Sequence, residues 1–268
     1  MRRFLLFAPA LVFMAIRPAF AAQPLWAKKA TAFPVQCEPG KTEACKPLRI
    51  PAPNGKSSVE VRYRKDVSEW GWVLRAYLRV ATPDGATREA TLPEAYGNVE
   101  LLWAPDFHTF LLNGDGDGAP VSGLWVYVYP ADYPADPRDV TENAQRDMVK
   151  EFPDCKAAYP NADDAGGCKK VSRPIDVETC VKTKANPKYS PEYNMTGIDW
   201  VTPSSILVMA RIPCDSLYGG IMCQVMGYEL QVPTGRILNR TDAKELKLRW
   251  QKSIAWDFRI PDPPRYCE

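Results

Sequence analysis

The sequence predicts a mainly β protein built from repeated antiparallel sheet units. Apolar and polar side chains alternate along several short segments, which is the pattern of strands that are buried on one face. Turn residues, above all Pro, Asp and Gly, separate these segments. Of the 268 residues 46% are hydrophobic and 11% aromatic. That content suits a packed core and excludes a chain that is disordered along most of its length.

The N-terminus has the pattern of an export signal. Arg2 and Arg3 precede a 13-residue apolar run, residues 4–16, and Ala19 and Ala21 provide small residues for a signal peptidase. The run is shorter than the roughly 20 apolar residues that span a bilayer. We therefore predict a signal peptide over residues 1–21, cleaved near Ala21, and a periplasmic or secreted protein that does not span the membrane. A buried N-terminal helix is the alternative.

The charge balance argues against one class of partner. Removal of residues 1–21 takes away three arginines and no acid, so the formal charge changes from +2 to −1. A dedicated nucleic-acid-binding protein carries a clear basic excess. We therefore expect no nucleic-acid partner.

All eight cysteines lie in the predicted mature chain. An even number of cysteines in an exported protein predicts a disulfide framework. The chain has a single histidine and no C-x-x-C pair, which disfavours the alternative of a zinc site. The spacing favours three short loops and one bridge that holds the C-terminal tail: Cys37–Cys45, Cys155–Cys168, Cys214–Cys223 and Cys180–Cys267.

The first part of the mature chain differs in composition from the rest. Residues 22–53 are rich in Pro, Lys and Gly, and we expect an irregular N-terminal arm there. Residues 54–268 are expected to form a single β-rich domain. Residues 59–64 and 72–80 each alternate as a strand, and we expect residues 87–92 to form the return strand of a hairpin after a turn at residues 82–85.

One unit occurs twice. Residues 98–130 contain a strand, a Trp-containing turn, a second strand, a Gly/Asp loop and a third strand. A similar order begins 97 residues later, around Trp200, and continues to a Pro-Thr-Gly turn at residues 233–235. Repetition of this kind is typical of repeat architectures.

The repeated unit resembles a known family. Trp103-Ala104-Pro105-Asp106, with the strand that follows it, resembles the W-S-P-D-G turn of the TolB-like β-propeller blade, and Phe107 stands where that turn has glycine. The resemblance implies propeller-like antiparallel sheet units. A β-sandwich with long loops is the alternative fold.

Residues 131–196 interrupt the β pattern and are predicted to form a short helical, disulfide-bearing insertion. Apolar residues at helical spacing predict a helix over residues 141–152. A second helix is predicted over residues 242–251, with Thr241 as its N-cap.

A loop in the first copy has half of a calcium-binding pattern. Asn113, Asp115 and Asp117 alternate with glycines, as in the first half of an EF-hand loop. Leu124 stands where the EF-hand needs a bidentate Glu. Asp and Gly are also common in ordinary hairpin loops, and we favour that interpretation, with no cofactor.

Two further residue pairs have the chemistry of functional sites. Asp106 and His108 are two apart, and a carboxylate beside an imidazole is a general acid–base arrangement. They would serve a cell-envelope hydrolase, although no nucleophile motif accompanies them. Trp70 and Trp72 are suited to an exposed aromatic platform that binds a glycan or a protein.

The absence of a catalytic motif in the sequence favours a binding function. We expect an exported, non-catalytic protein that binds another envelope or secreted protein, as an inhibitor does. A cell-envelope hydrolase and a glycan-binding protein are the alternatives.

Overall fold

A computed structural model describes residues 25–38, 40–68, 71–82, 84–90, 92, 97–114, 125–129, 137–150, 194–211 and 225–256. The strands within these ranges are β1 (Thr31–Pro34), β2 (Gln36–Cys37), β3 (Leu48–Pro51), β4 (Ser58–Ser68), β5 (Gly71–Ala81), β6 (Thr87–Ala90), β7 (Asn98–Trp103), β8 (Phe110–Gly114), β9 (Trp125–Tyr129), β10 (Arg138–Asp139), β11 (Asn194–Thr202), β12 (Ser205–Arg211), β13 (Val225–Gln231) and β14 (Arg236–Asp242). The helices are α1 (Glu142–Lys150) and α2 (Ala243–Trp250). Short 3-10 turns lie at Thr42–Ala44 and Gln251–Ser253.

The strands form three antiparallel sheets. The hairpin sheet has the order β2-β5-β4-β3, with β6 also paired to β5. The middle sheet has the order β1-β7-β8-β9-β10, and the C-terminal sheet has the order β11-β12-β13-β14. The mainly β, antiparallel fold that the alternation predicts is therefore confirmed.

The middle sheet is buried on both faces. Alternate residues of β7 and β8 point to opposite faces, so Leu101 and Phe110 pack with the hairpin sheet, whereas Leu102 and Leu111 pack with the C-terminal sheet. The outer face of the C-terminal sheet is covered by α2 through Leu246. The three sheets and α2 are thus stacked as successive layers.

The repeated unit is confirmed as structure in both copies. β7, β8 and β9 follow the predicted order around Trp103, and β11, β12 and β13 follow it around Trp200. The TolB-like resemblance itself stays a prediction. A helix is also present in the predicted insertion, as α1. No helix in the described ranges is long and apolar enough to cross a bilayer.

The N-cap of α2 differs from the prediction. Asp242 caps the helix, and its Oδ1 accepts a hydrogen bond from the backbone N–H of Glu245 at 2.7 Å. Thr241 is a buried residue of β14. The observed N-cap lies one residue after the predicted one, because β14 continues directly to the first turn of the helix.

The expectation of an irregular arm over residues 22–53 needs a larger correction. This segment supplies β1 to the middle sheet and β2 and β3 to the hairpin sheet. Phe33 and Val35 are buried between these two sheets. The strands have four, two and four residues, which is too short for an alternating pattern to be recognised.

Candidate functional site

The β4–β5 hairpin extends beyond the rest of its sheet. The two strands pair from Ser58 opposite Ala81 to Ser68 opposite Gly71. The neighbouring strands β3, β2 and β6 pair only with residues 58–61, 74–75 and 78–81. Residues 66–68 and 71–73 therefore lie beyond the limits of these neighbouring strands and pair across the hairpin. We call these residues the hairpin end.

One face of the hairpin end is apolar and exposed. Val67 lies directly opposite Trp72, and their exposed fractions are 83% and 40%. Both continue the alternation that buries Val59 and Val61 at the other end of the hairpin. The Lys65 ammonium lies 5.0 Å from the centre of the Trp72 ring, within the range of a cation–π contact. The alternation that is typical of a buried strand thus continues along the hairpin beyond the part that the core covers.

The predicted aromatic platform is described only in part. Trp72 lies on the exposed apolar face, as stated above, whereas Trp70 lies outside the described residues. The structure therefore supports an exposed aromatic side chain at this position, and a paired platform stays a prediction.

The opposite face of the hairpin sheet carries a cluster of arginines. Arg62 pairs with Glu60 at 3.0 Å, and Arg75 pairs with Asp66 at 3.0 Å. The hydrogen bond and the negative charge of Glu60 raise the pKa of Arg62. We call the surface the arginine face; its arginines, placed by the strand register, are Arg49, Arg62, Arg64, Arg75 and Arg79.

Two of these arginines lie in an unfavourable register. Arg64 is directly opposite Arg75, and like charges in that position destabilise a strand pair. The Arg64 guanidinium lies 5.3 Å from the centre of the Tyr77 ring, and Asp66 neutralises only Arg75. The like charges of Arg64 and Arg75 are therefore offset in part, by the Tyr77 ring beside Arg64 and by Asp66 beside Arg75.

Asp106 has a structural role in the turn between β7 and β8. Its Oδ1 accepts hydrogen bonds from the backbone N–H groups of His108 and Thr109, at 2.9 and 3.0 Å. Its Oδ2 accepts a hydrogen bond from the Thr109 hydroxyl at 3.0 Å. The carboxylate thus holds the turn together, and it contacts the backbone of His108. A catalytic role for Asp106 and His108 stays a prediction.

The same turn contains a strained residue. Phe107 has φ 61°, the left-handed region in which bulky side chains are rare. Glycine reaches this region without a steric cost. The backbone at Phe107 therefore has a conformation that glycine adopts without strain.

We expect Phe107→Gly to be more stable than Phe107→Ala by about 1 kcal/mol, because only glycine removes the clash of Cβ in the left-handed region. Both substitutions remove the ring, so their difference isolates the backbone term. Urea denaturation of the two variants measures it. A Phe107→Ala variant as stable as Phe107→Gly would contradict the proposed strain.

Asn113, the first residue of the candidate calcium loop, lies in the interior. Its Nδ2 donates to the Gly197 carbonyl at 2.8 Å, and its Oδ1 accepts from the Gly197 N–H at 2.7 Å. Asn113 therefore joins the middle sheet to the C-terminal sheet. Asp115 and Asp117 lie outside the described residues, and calcium binding stays a prediction. In the ranges that the structure describes, no three His, Cys, Asp or Glu residues cluster as a metal site.

Glu100 is a buried carboxylate that sequence reasoning missed. It lies opposite Asn113 on β7 and β8 and has no exposed surface. It accepts hydrogen bonds from the backbone N–H groups of Trp26 and Ala27, at 2.8 and 3.0 Å, and from that of Leu25. Burial raises its pKa, partly offset by these hydrogen bonds. The one signal in the sequence is a Glu within the apolar run Val99-Glu100-Leu101-Leu102.

A second carboxylate also binds the arm. Asp199 on β11 accepts a hydrogen bond from the Ser253 hydroxyl at 2.6 Å and forms an ion pair with Lys29 at 2.8 Å. Glu100 and Asp199 thus connect residues 25–29 to two sheets. They stabilise the scaffold, and neither is placed to contact a ligand.

The predicted bridge between Cys37 and Cys45 is confirmed, with an S–S distance of 2.00 Å. It ties the end of β2 to the 3-10 turn beside the hairpin sheet. The other six predicted disulfide cysteines, Cys155, Cys168, Cys180, Cys214, Cys223 and Cys267, lie outside the described residues.

No family model, curated protein or solved structure matches this chain.

Proposed function

We propose that this protein is an exported, non-catalytic binding protein, and that it recognises another envelope or secreted protein through the hairpin end. The observation that carries the proposal is the exposed pair of Val67 and Trp72. Four large hydrophobic side chains of the described residues are exposed, and two of them lie opposite each other at this one place. Exposed aromatic and aliphatic side chains that adjoin each other are typical of protein interaction sites.

The rest of the structure supports a rigid scaffold for such a site. The arm is fixed to the sheets by buried carboxylates, and the Cys37–Cys45 bridge begins at Cys37, which pairs with Leu74 of β5. A disulfide is compatible with an oxidising compartment outside the cytoplasm, which agrees with the predicted export signal. Binding to a preorganised surface loses less conformational entropy than binding to a flexible one.

Site-specific photo-crosslinking tests the proposal. A photoreactive amino acid at position 67 is expected to give a discrete cross-linked product with one envelope or secreted protein of the producing cell. The same group at Leu248, which is 84% exposed on α2, is the control and should give no such product. Trp72→Ala should abolish the product at position 67. Identical patterns from positions 67 and 248 would refute the proposal.

A further inference from the structure

The strand β4 has an open edge next to the proposed site. Its pairing with β3 ends at Val61, opposite Leu48, and residues 62–68 pair only with β5 among the residues described here. We call residues 62–68 the open edge. At about 3.3 Å per residue it is roughly 23 Å long. An unpaired strand edge presents backbone N–H and C=O groups on which an extended peptide can add as a further strand. The Val67 N–H already donates to Asp66 Oδ1 at 2.9 Å, so an added strand would use the backbone groups that precede it.

The side chains of the open edge carry a positive charge. Arg62 and Arg64 lie on the arginine face, and Lys65 lies on the opposite, apolar face. The one acid of the edge, Asp66, is paired with Arg75, and Arg62 is paired with Glu60 just before the edge. The charge that remains for a partner is therefore mainly that of Arg64 and Lys65. Such an edge repels basic strands, including the same edge of a second copy, and attracts acidic ones. Charge of this kind gives selectivity by excluding the wrong partners.

The two faces of the edge differ, and this difference defines the pattern of a partner strand. Side chains of an added strand alternate between the faces. On one face they would approach Arg62 and Arg64. On the other they would approach Tyr63, Val67 and the Lys65 side chain, whose ammonium lies over the Trp72 ring. A partner strand with carboxylates at alternate positions and apolar residues between them would complement both faces.

We propose that the open edge of β4 binds an extended acidic segment of the partner by strand addition, with carboxylates on the arginine face and apolar side chains on the Val67 face. The inference rests on the proposed function, since it names the part of the partner that the hairpin recognises. Backbone hydrogen bonds supply the affinity, and Arg64 selects the charge.

A synthetic peptide tests this inference on the mature full-length protein. The probe has about eight residues, enough to span the edge, with alternating Glu and Val and both termini blocked. We expect it to bind, and we expect Arg64→Glu to weaken binding about tenfold or more, because attraction becomes repulsion at the contact. Arg236→Glu, the same change on β14 outside the hairpin sheet, should bind as the unmodified protein does.

Two altered peptides separate strand addition from attraction between charges alone. Methylation of alternate backbone nitrogens on the edge that faces β4 keeps every carboxylate and removes the donors, and it should abolish binding. Replacement of Glu by Lys should also abolish binding. Equal binding of the methylated peptide, an equal effect of Arg64→Glu and Arg236→Glu, or self-association of the protein through this edge would overturn the inference.

The outcome is distinguishable from that of the proposed function. If the peptide fails to bind while the cross-link at position 67 persists, the hairpin end binds a protein, but not through an acidic strand. If both fail, neither proposal stands.

Discussion

Glu100→Ala is expected to destabilise the protein by roughly 3–5 kcal/mol, because it removes the acceptor of several buried donors at once. The backbone N–H groups of Leu25, Trp26 and Ala27 all donate to this carboxylate, and the substitution leaves them without a partner inside the fold. The free energy of unfolding from urea denaturation measures the effect.

Two controls make this prediction specific. Glu89→Ala removes an exposed carboxylate from β6 and should change stability by less than about 0.5 kcal/mol. Glu100→Gln keeps an acceptor oxygen for part of the donors and should lie between the wild type and Glu100→Ala, which preserves a folded variant for measurement. A Glu100→Ala variant as stable as Glu89→Ala would contradict the role assigned to Glu100.

The raised pKa of Glu100 adds a pH dependence with a definite sign. Burial raises the pKa above its ordinary value of 4.5, so the folded state binds the proton more tightly than the unfolded state does. The contribution of Glu100 to stability is therefore greatest below pH 4.5 and declines as the pH rises through the folded-state pKa. Glu100→Gln has no proton to lose, and the difference between it and the wild type should show this decline.

Trp26→Ala is the second change with a large expected effect, about 3–5 kcal/mol of lost stability, because truncation of a buried Trp leaves a cavity. Trp26 has an exposed fraction of only 1%. Its carbonyl accepts a hydrogen bond from the Ala255 N–H at 2.8 Å, beside the bridge between Ala27 and Ile254. The arm at this point is therefore part of the core, and the midpoint of thermal unfolding should fall by several degrees.

The matched control is the same substitution at an exposed position. Trp72→Ala removes an indole ring that is already 40% exposed at the hairpin end, and it should cost clearly less stability than Trp26→Ala does. It should nevertheless abolish the cross-link at position 67. Equal destabilisation by Trp26→Ala and Trp72→Ala would show that the arm contributes little to the core.

Much of the fold follows from local pattern. The alternation of side chains over residues 58–81 is long enough to place β4 and β5 from the sequence, and the repeated Trp-containing turns place β7, β8, β11 and β12. The local bridge between Cys37 and Cys45 follows from their spacing. The strands of the arm do not follow from local pattern, because they are short and their partners, such as Leu101 for Thr31, are far along the chain.

The candidate site, too, could be predicted from the sequence only in part. Trp72 is notable in the sequence as an aromatic residue, but its exposure depends on where the covering sheet ends. The arginine face is invisible in the sequence, because Arg49, Arg64 and Arg79 lie on three different strands and only the register places them on one surface. The net charge of the full sequence, +2, gives no indication of it.

The sequence by itself determined the mainly β class, the repeated unit, the first disulfide and the helix in the insertion, since each depends on residues close together in the chain. Only the tertiary structure decided that the arm joins the sheets, that Glu100 and Asn113 are buried between them, and that one hairpin extends beyond the core. These features depend on contacts between distant residues, such as Glu100 with Trp26 and Asn113 with Gly197. Strand register and the limits of a neighbouring sheet set such contacts, and neither leaves a periodic signal in the chain.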